Sequence, residues 1–364
     1  MKRLLLLGGG HAHLFVLEAF ARRRPDAEVL LVTPDVLTPY SGMLPGAIAG
    51  HYRYREACID LRPLAQRAGV TVVSGRAVAL DPDRRCVTLD SGETLEGDLF
   101  SVDTGATPHR PLATGLRSFA HPVKPVPALI AALQAATPDA LAVIGAGAAG
   151  VEVALALRHR LPDRPVVLIE RGPAPLPGSP AGLQQRVLAE LSRQRVELID
   201  TADIVSADGH ALGLADGRRI DSDFTVLCTG AAAPEWLQRS GLILDARGFV
   251  AVDSTLRSPS HPHVFAAGDV STTVGNPRPR SGVFAVRAGP PLARNLLRAL
   301  AGDTVQPWMP QRDALRLLAC GRRHAIAARG AWSLQGDWVW HWKDSIDRAF
   351  VRRFDPVAHA PVTP

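Results

Sequence analysis

The sequence has few cysteines, and they lie far apart. Only four occur among 364 residues, Cys58, Cys86, Cys228 and Cys320, and no two of them form a CxxC or CxxxxC pair. A zinc cage and a redox-active dithiol both need thiols at close spacing, so neither is indicated. Isolated cysteines of this kind predict a protein of the reduced cytoplasm.

Long apolar runs are also missing. The run Leu4–Leu7 ends at Gly8, too early for a signal peptide, and no stretch reaches the roughly 20 apolar residues of a membrane span. The net charge of +6 favours anionic partners such as dinucleotides or acidic lipid surfaces. Because the arginines are dispersed and no recognition module accompanies them, nucleic acid is not an expected partner. The cytoplasm is the expected location, with the inner face of the membrane as the alternative.

Two glycine-rich turns are the most informative features that are present. Gly8-Gly9-Gly10 follows the apolar run Leu4–Leu7, and Gly145–Gly150 follows Leu141–Ile144. A helical stretch rich in alanine and leucine comes after each turn, which is the context in which helix amides bind a pyrophosphate. The duplication predicts two dinucleotide sites, and a protein with two dinucleotides usually passes electrons between them.

The second turn has the complete fingerprint. Gly145, Gly147 and Gly150 satisfy G-x-G-x-x-G, and Glu170 ends the next predicted strand. A carboxylate at that point accepts hydrogen bonds from a ribose and repels a 2′-phosphate, which favours NADH over NADPH. The neighbouring Arg171 can offset this charge, so NADPH remains the alternative.

The first turn is less regular. His13 takes the place of the third glycine, and the next strand ends at Thr33, without an acid. Its assignment to a nucleotide depends on a distant segment, Val264–Asp269, where an apolar strand continues into Ala-Ala-Gly-Asp and a helix over 283–301 follows. The pair His11 and His13 has no third ligand nearby, so no metal site is expected.

These patterns predict an α/β fold with two Rossmann-like three-layer (ββα) nucleotide-binding domains and a small α+β C-terminal appendix. The second strand–turn–helix unit interrupts the first domain. The predicted domains are 1–115 with 240–302 for FAD, 116–239 for NAD(P)H, and 303–364 for an appendix that holds five of the six tryptophans.

The chain resembles the FAD-dependent pyridine nucleotide-disulfide oxidoreductase superfamily over about residues 1–300. Within it, the chain is similar to the type II NADH dehydrogenase and sulfide:quinone reductase branch, and most similar to the flavoprotein module fused to selenide, water dikinase. The segments that carry this resemblance are Gly8–His13, Thr38–Gly46, Thr104–Ala106, Gly145–Gly150, Thr229-Gly230, Ala266–Asp269 and Trp342–Asp344.

The resemblance implies specific roles. For FAD it implies Gly8, Gly10, His11, His13, Thr33, Val78, Thr104, Gly105, Gly268 and Asp269. For NAD(P)H it implies Gly145, Gly147, Gly150, Glu152, Glu170 and Gly230. It places Ser41, Gly42 and Pro45 beside the flavin ring, although a plain surface turn is the alternative for that loop. Lys124 is a further candidate beside the flavin, with a solvated lysine as the alternative.

The implied function is electron transfer from NADH through FAD to a quinone or a small sulfur or selenium compound. Disulfide reductases of this superfamily use a CxxxxC pair, and Cys58 stands alone here, so a dithiol relay is not expected. Cys320 can approach the flavin or remain an inert core residue. The other function class considered is a flavin-bearing binding or sensor protein that docks a partner or a membrane through its C-terminus.

The C-terminal segment has helical periodicity. This spacing places Val339, Trp342, Ile346 and Phe350 on one apolar face, with Lys343 among the charges around it. The face is expected to pack on its own domain or in a homodimer, with a membrane surface as the alternative.

Overall fold

A computed structural model describes residues 1–109 and 113–355. Its first sheet has five parallel strands, because apolar runs such as Leu4–Leu7 are buried on both faces. In spatial order these strands are Val264–Ala266, Leu99–Val102, Lys2–Leu7, Ala27–Thr33 and Thr71–Ser74. The strand Val264–Ala266 therefore joins the sheet in which the chain begins.

Three helices belong to this first unit. His11–Arg22 packs against both Leu61–Ala68 and Gly282–Ala301. Gly10 is the last residue before the helix His11–Arg22, so the glycine turn lies at the amino end of that helix. A separate antiparallel meander follows, with strands Ala77–Asp81, Cys86–Leu89 and Thr94–Glu96.

The second sheet repeats the plan. Its five parallel strands are, in spatial order, Ala120–Pro122, Phe224–Leu227, Leu141–Ile144, Val166–Ile169 and Val196–Ile199. The helices of this unit are Val126–Ala135, Ala148–Arg160 and Ala181–Arg193. A second antiparallel meander has strands Ile204–Ala207, Ala211–Leu214 and Arg219–Asp221.

The short elements connect these units. They are the strand pairs Leu37–Pro39 with Cys58–Asp60, Thr107–Pro108 with Ala231–Ala232 and Val250–Val252 with Ser271–Thr273, the helices Leu44–Ala49 and Leu116–Phe119, and the 3-10 turns Tyr54–Ala57, Glu235–Arg239 and Gly268–Val270. The predicted loop Thr38–Gly46 therefore contains the end of a strand and the beginning of a helix.

The C-terminal unit has an antiparallel sheet, Arg316–Ala319, Ala325–Arg329 and Trp332–Gly336, followed by the helix Asp337–Phe354. The α/β expectation with two Rossmann-like units and a small α+β appendix is confirmed. The domain boundaries stay a prediction, and residues 110–112 and 356–364 of those domains lie outside the described residues. Over residues 1–109 and 113–355, no helix is both long and apolar enough to cross a bilayer.

The predicted apolar face of the C-terminal helix is wrong by about one position. Val339 is buried, but Trp342 and Ile346 are exposed. The charged side chains of Lys343 and Asp347 take the buried positions, because they pair with each other and Lys343 also bonds to a backbone carbonyl. Apolar periodicity therefore misjudges which face packs.

Candidate active site

The first glycine turn lies where the first sheet meets the helix His11–Arg22. Gly8 has a φ of +96°, and a Cβ there would come within 2.5 Å of the carbonyl oxygen of Asp103. A Cβ at Gly10 would overlap the carboxylate of Asp103. Both glycines are therefore required by close packing against the end of the strand Leu99–Val102.

Asp103 is a site residue that the sequence reasoning misses. Its side chain is 3% exposed, and Oδ2 accepts hydrogen bonds from the amides of Ala12, at 2.8 Å, and His13, at 3.0 Å. Burial raises the pKa of this carboxyl well above its usual range. The available signal was its position directly after a buried strand and before Thr104 and Gly105.

His13 turns its ring into the protein. Nδ1 lies 2.6 Å from the carbonyl oxygen of Gly8, and Nε2 lies 2.9 Å from Oγ of Ser101. Burial lowers the pKa of His13 to about 4, so the ring is neutral at physiological pH. At the position of the third glycine, the ring therefore connects the turn at Gly8 with Ser101 in the strand Leu99–Val102.

His11 lies between two aromatic rings, with ring centroids 5.5 Å from Tyr40 and 6.1 Å from Phe350. Its Nε2 is buried and has no hydrogen-bond partner among the described residues. Burial and the nearby positive charge of Lys124 lower the pKa of His11 to about 4. Lys124 itself lies 3.8 Å from a carboxylate oxygen of Asp269, so the structure brings these three predicted residues together.

The C-terminal helix contacts the loop that contains the flavin-ring candidates. The ammonium group of Lys343 donates to the carbonyl oxygen of Gly42 at 2.5 Å and to the carboxylate of Asp347 at 2.5 Å. Ser41 lies at the amino end of the helix Gly282–Ala301, since a Cβ at Gly282 would come within 2.7 Å of its hydroxyl oxygen. Pro45 is buried in the first turn of the helix Leu44–Ala49.

The other predicted FAD residues lie on several elements of the first unit. The hydroxyl of Thr33 donates to the carbonyl oxygen of Asp35, and Val78 is exposed on the first meander. Gly268, with a φ of +74°, packs on Asp103, because a Cβ there would lie 2.5 Å from Oδ1. Thr104 and Gly105 follow Asp103 directly.

The second glycine turn is closely packed at Gly145 and Gly150 and open at Gly147. Gly145 has a φ of +97°, and a Cβ at Gly150 would overlap the carbonyl oxygen of Gly145. A Cβ at Gly147, by contrast, would meet no atom within 4 Å among the described residues. The space beside Gly147 at the amino end of the helix Ala148–Arg160 suits the close approach of a pyrophosphate.

Glu170 is anchored to this turn. One carboxylate oxygen accepts from the amide of Ala146 at 2.6 Å, and the other accepts from the amide of Gly172 at 3.0 Å. The neighbouring Arg171 forms an ion pair with Asp203, with a nitrogen–oxygen distance of 2.8 Å. Gly230 adopts a φ of +93° at the end of an adjacent strand.

Glu152 connects the helix Ala148–Arg160 with the C-terminal unit. Its carboxylate accepts from the amide of Ala319 at 2.8 Å. Burial raises the pKa of Glu152 to about 7, although the positive charge of Lys343 opposes the shift. Glu152 therefore faces the buried Lys343–Asp347 pair, a placement that its predicted NAD(P)H role does not anticipate.

All four cysteines are free thiols, and three of them are buried. Burial raises the pKa of Cys58 and Cys320, and that of Cys228 to about 12. Such thiols are poor nucleophiles because the reactive form is the thiolate. Within residues 1–109 and 113–355, no group of histidine, cysteine and acidic side chains is arranged to bind a metal ion.

The two turns fit dinucleotides by observations of the chain itself. At the first turn, Gly8 and Gly10 leave no space for a Cβ, and the buried Nε2 of His11 in the helix that follows has no hydrogen-bond partner among the described residues. At the second turn, an open helix terminus lies beside an anchored carboxylate. The helix Leu44–Ala49 packs on Ala148–Arg160, so the loop at the first site touches the helix of the second.

Comparisons with known proteins agree with this arrangement. A family model described as pyridine nucleotide-disulphide oxidoreductase matches residues 2–289. The NADH dehydrogenase-like protein Rv1812c of Mycobacterium tuberculosis is 28% identical over 294 residues, which cover 74% of this chain and 73% of that protein. The type II NADH:quinone oxidoreductase Ndh of the same species is 29% identical over 221 residues, 54% of this chain and 47% of that protein.

Among solved structures, the sulfide:quinone oxidoreductase of the bacterium Aquifex aeolicus matches with a TM-score of 0.82. The match covers 98% of this chain and 92% of that one at 18% sequence identity. Similarity at such low identity establishes a shared fold, which here extends through the C-terminal unit.

Proposed function

The chain belongs to the pyridine nucleotide-disulphide oxidoreductase family and is an oxidoreductase, and from this premise we propose that it passes electrons from NADH through FAD to a quinone or a small oxidised sulfur or selenium compound. The observation that carries the proposal is the position of the loop around Gly42. It is joined to the C-terminal helix through Lys343, and the helix that follows it packs on the nicotinamide-site helix Ala148–Arg160.

The chain's own residues have distinct tasks in this proposal. Amides of the first turn and the side chains of Asp269, Lys124 and His11 would hold the FAD, whereas the turn around Gly147 would hold NADH. Bound FAD supplies the capacity to accept a hydride and to release electrons to an acceptor. The amino end of the helix Gly282–Ala301, beside Ser41, favours negative charge that develops nearby.

Reduction of a quinone consumes protons as well as electrons, and the partly buried acid Glu152 suits this need. Its pKa of about 7 keeps a proton available at physiological pH. Lys343 and Asp347 extend from Glu152 toward the carbonyl of Gly42. In this proposal the acceptor meets the flavin directly, without a dithiol, because the buried thiols have raised pKa values.

Glu152 gives the proposal a pH dependence. We expect reoxidation of the flavin by a soluble quinone to be constant below about pH 7 and to fall up to tenfold per pH unit above it, because only the protonated acid donates. Glu152→Gln should lose this inflection, whereas Glu190→Gln, a change at a buried glutamate elsewhere in the chain, should keep it. An unchanged inflection in Glu152→Gln would remove Glu152 from the proton path.

NADH is the proposed donor, because the carboxylate of Glu170 is anchored to the second turn, where it would meet the ribose, and Arg171 is held by Asp203. Asp203→Ala should free Arg171 and lower the Kd for NADPH about two- to fivefold, the size of an exposed ion pair. The matched control is Asp208→Ala, which breaks an equally short exposed pair with Arg219. Titration of both nucleotides against both variants measures this, and equal changes in the two variants would contradict it.

The acceptor is identified by a screen. The NADH-reduced, purified protein is mixed without oxygen with a soluble quinone, polysulfide or selenite, and return of the flavin absorbance is followed. The proposal expects one class to reoxidise the flavin far faster than the others. If every acceptor of these classes leaves the flavin reduced, the proposed acceptors are wrong.

One observation favours the second candidate function, a flavin-bearing protein that docks a partner or a membrane. Trp338 and Trp342 are 58% and 38% exposed and stack on one another at 6.4 Å between ring centroids. With Ile346 they form an apolar strip on the outer side of the C-terminal helix. Flavin that stays oxidised in excess NADH would favour this candidate over the enzyme.

A further inference from the structure

A carboxylate already occupies the amino end of the helix to which the FAD pyrophosphate is assigned. Asp103 bonds through a single oxygen to the amides of Ala12 and His13, the second and third residues of the helix His11–Arg22. These are among the amides that a helix start offers to an anion. Asp103 and the pyrophosphate therefore share one positively polarised helix end.

Asp103 has no room to move away. Gly8 and Gly10 of the first glycine turn and Gly268 of the distant Ala-Ala-Gly-Asp segment all pack on it so closely that a Cβ at any of them would collide with its atoms. With a side chain that is 3% exposed, Asp103 also has little contact with water. A second negative charge brought to this helix end must therefore be accommodated electrostatically, because the carboxylate cannot swing into solvent.

The charged form of Asp103 is already disfavoured before any ligand binds. Burial is the main cause, and the nearby carboxylate of Asp269 adds to it, while the two amide hydrogen bonds oppose it. A pyrophosphate at the same helix end disfavours the charged form further, since like charges in a poorly solvated site repel strongly.

We propose that Asp103 is a positioning residue that couples FAD binding to protonation: when the pyrophosphate binds beside Gly10, one proton is taken up and resides on Asp103. Protonated Asp103 still accepts the two amide hydrogen bonds and no longer repels the pyrophosphate. This inference rests on the proposed function, because it requires that FAD binds at the first turn.

The charged and titratable groups around Asp103 are few. His11 and His13 on the facing helix have pKa values lowered to about 4, so they stay neutral above pH 6. On the other side lie Asp269 and its partner Lys124. A change in FAD affinity between pH 6 and 9 therefore does not come from the two histidines.

The test is FAD binding to the full chain after the flavin has been removed. Affinity is measured by quenching of flavin fluorescence from pH 6 to 9, and proton uptake by calorimetry in two buffers of different ionisation enthalpy. The inference predicts that Kd rises with pH by as much as tenfold per unit and that up to one proton is taken up per FAD. Asp103→Asn, which keeps an acceptor oxygen, should show a flat Kd, no uptake, and tighter binding than the native chain at pH 9.

Asp60→Asn is the matched control, because Asp60 caps the helix Leu61–Ala68 through the amide of Arg62. It should keep the native pH dependence. Binding by the native chain that does not change with pH would overturn the inference. An Asp103→Asn variant that binds FAD more weakly and keeps the native pH slope would also overturn it, because that combination indicates a structural role. Absence of FAD binding at every pH would overturn the proposed function together with the inference.

Discussion

Gly10→Ala is expected to abolish FAD binding. The new Cβ would overlap the carboxylate of Asp103, which is itself held by two helix amides, so the turn must open and the helix His11–Arg22 must shift. Overpacking of this kind costs about 1 to 3 kcal/mol or more, and here it falls on the cofactor site. The measurement is the flavin content of the purified protein, together with its unfolding in denaturant.

Two further variants make this prediction specific. Gly147→Ala changes the equivalent position of the second turn, which has a φ of −66° and open space around it, so it should fold normally, retain FAD and bind NADH at least tenfold more weakly. The double variant Gly10→Ala/Asp103→Ala removes the colliding carboxylate and should regain part of the FAD binding. Normal flavin content in Gly10→Ala alone would contradict the close packing at the first turn.

Lys343→Met is expected to have the second large effect. Lys343 and Asp347 are 6% and 5% exposed, and the change leaves the carboxylate buried without its partner. Loss of one member of a buried pair costs about 3 to 5 kcal/mol, and the flavin-ring loop also loses its bond at Gly42. Both the free energy of unfolding and the rate of flavin reoxidation should fall, the latter at least tenfold.

The pH dependence distinguishes charge burial from a simple packing defect. Without Lys343 the pKa of Asp347, already raised by burial, rises further, so stability is retained at low pH and lost as pH rises through this pKa. Lys343→Met/Asp347→Leu removes both charges and should recover most of the stability, yet not the reoxidation rate. A loss of stability in Lys343→Met that is equal at every pH would contradict this explanation.

Much of the fold follows from local sequence patterns. Apolar runs before glycine turns predict the parallel strands, because a buried strand and a tight turn each leave a local signature. The runs Leu4–Leu7 and Leu141–Ile144 both become central strands of five-stranded sheets. The family is likewise predictable, since its motifs are short segments such as Gly145–Gly150.

The residues that sequence reasoning misses depend on contacts between distant segments. Asp103 looks like an ordinary turn residue until the fold places it under Gly8, Gly10 and Gly268. Lys343 looks like a solvated lysine on an amphipathic helix, but it is buried, with Asp347 beside it and the carbonyl of Gly42, far away in the chain, as a further partner. Periodicity describes one element at a time, so it predicts neither the packing of Asp103 nor the burial of Lys343.

Electron transfer from NADH to flavin bound in this chain is measured by anaerobic stopped-flow absorbance. The purified flavoprotein is mixed with increasing NADH, and in parallel with NADPH, while the flavin absorbance is followed. The account predicts rapid bleaching that saturates with NADH and is slower or weaker with NADPH. Flavin that remains oxidised at physiological NADH concentrations would contradict it.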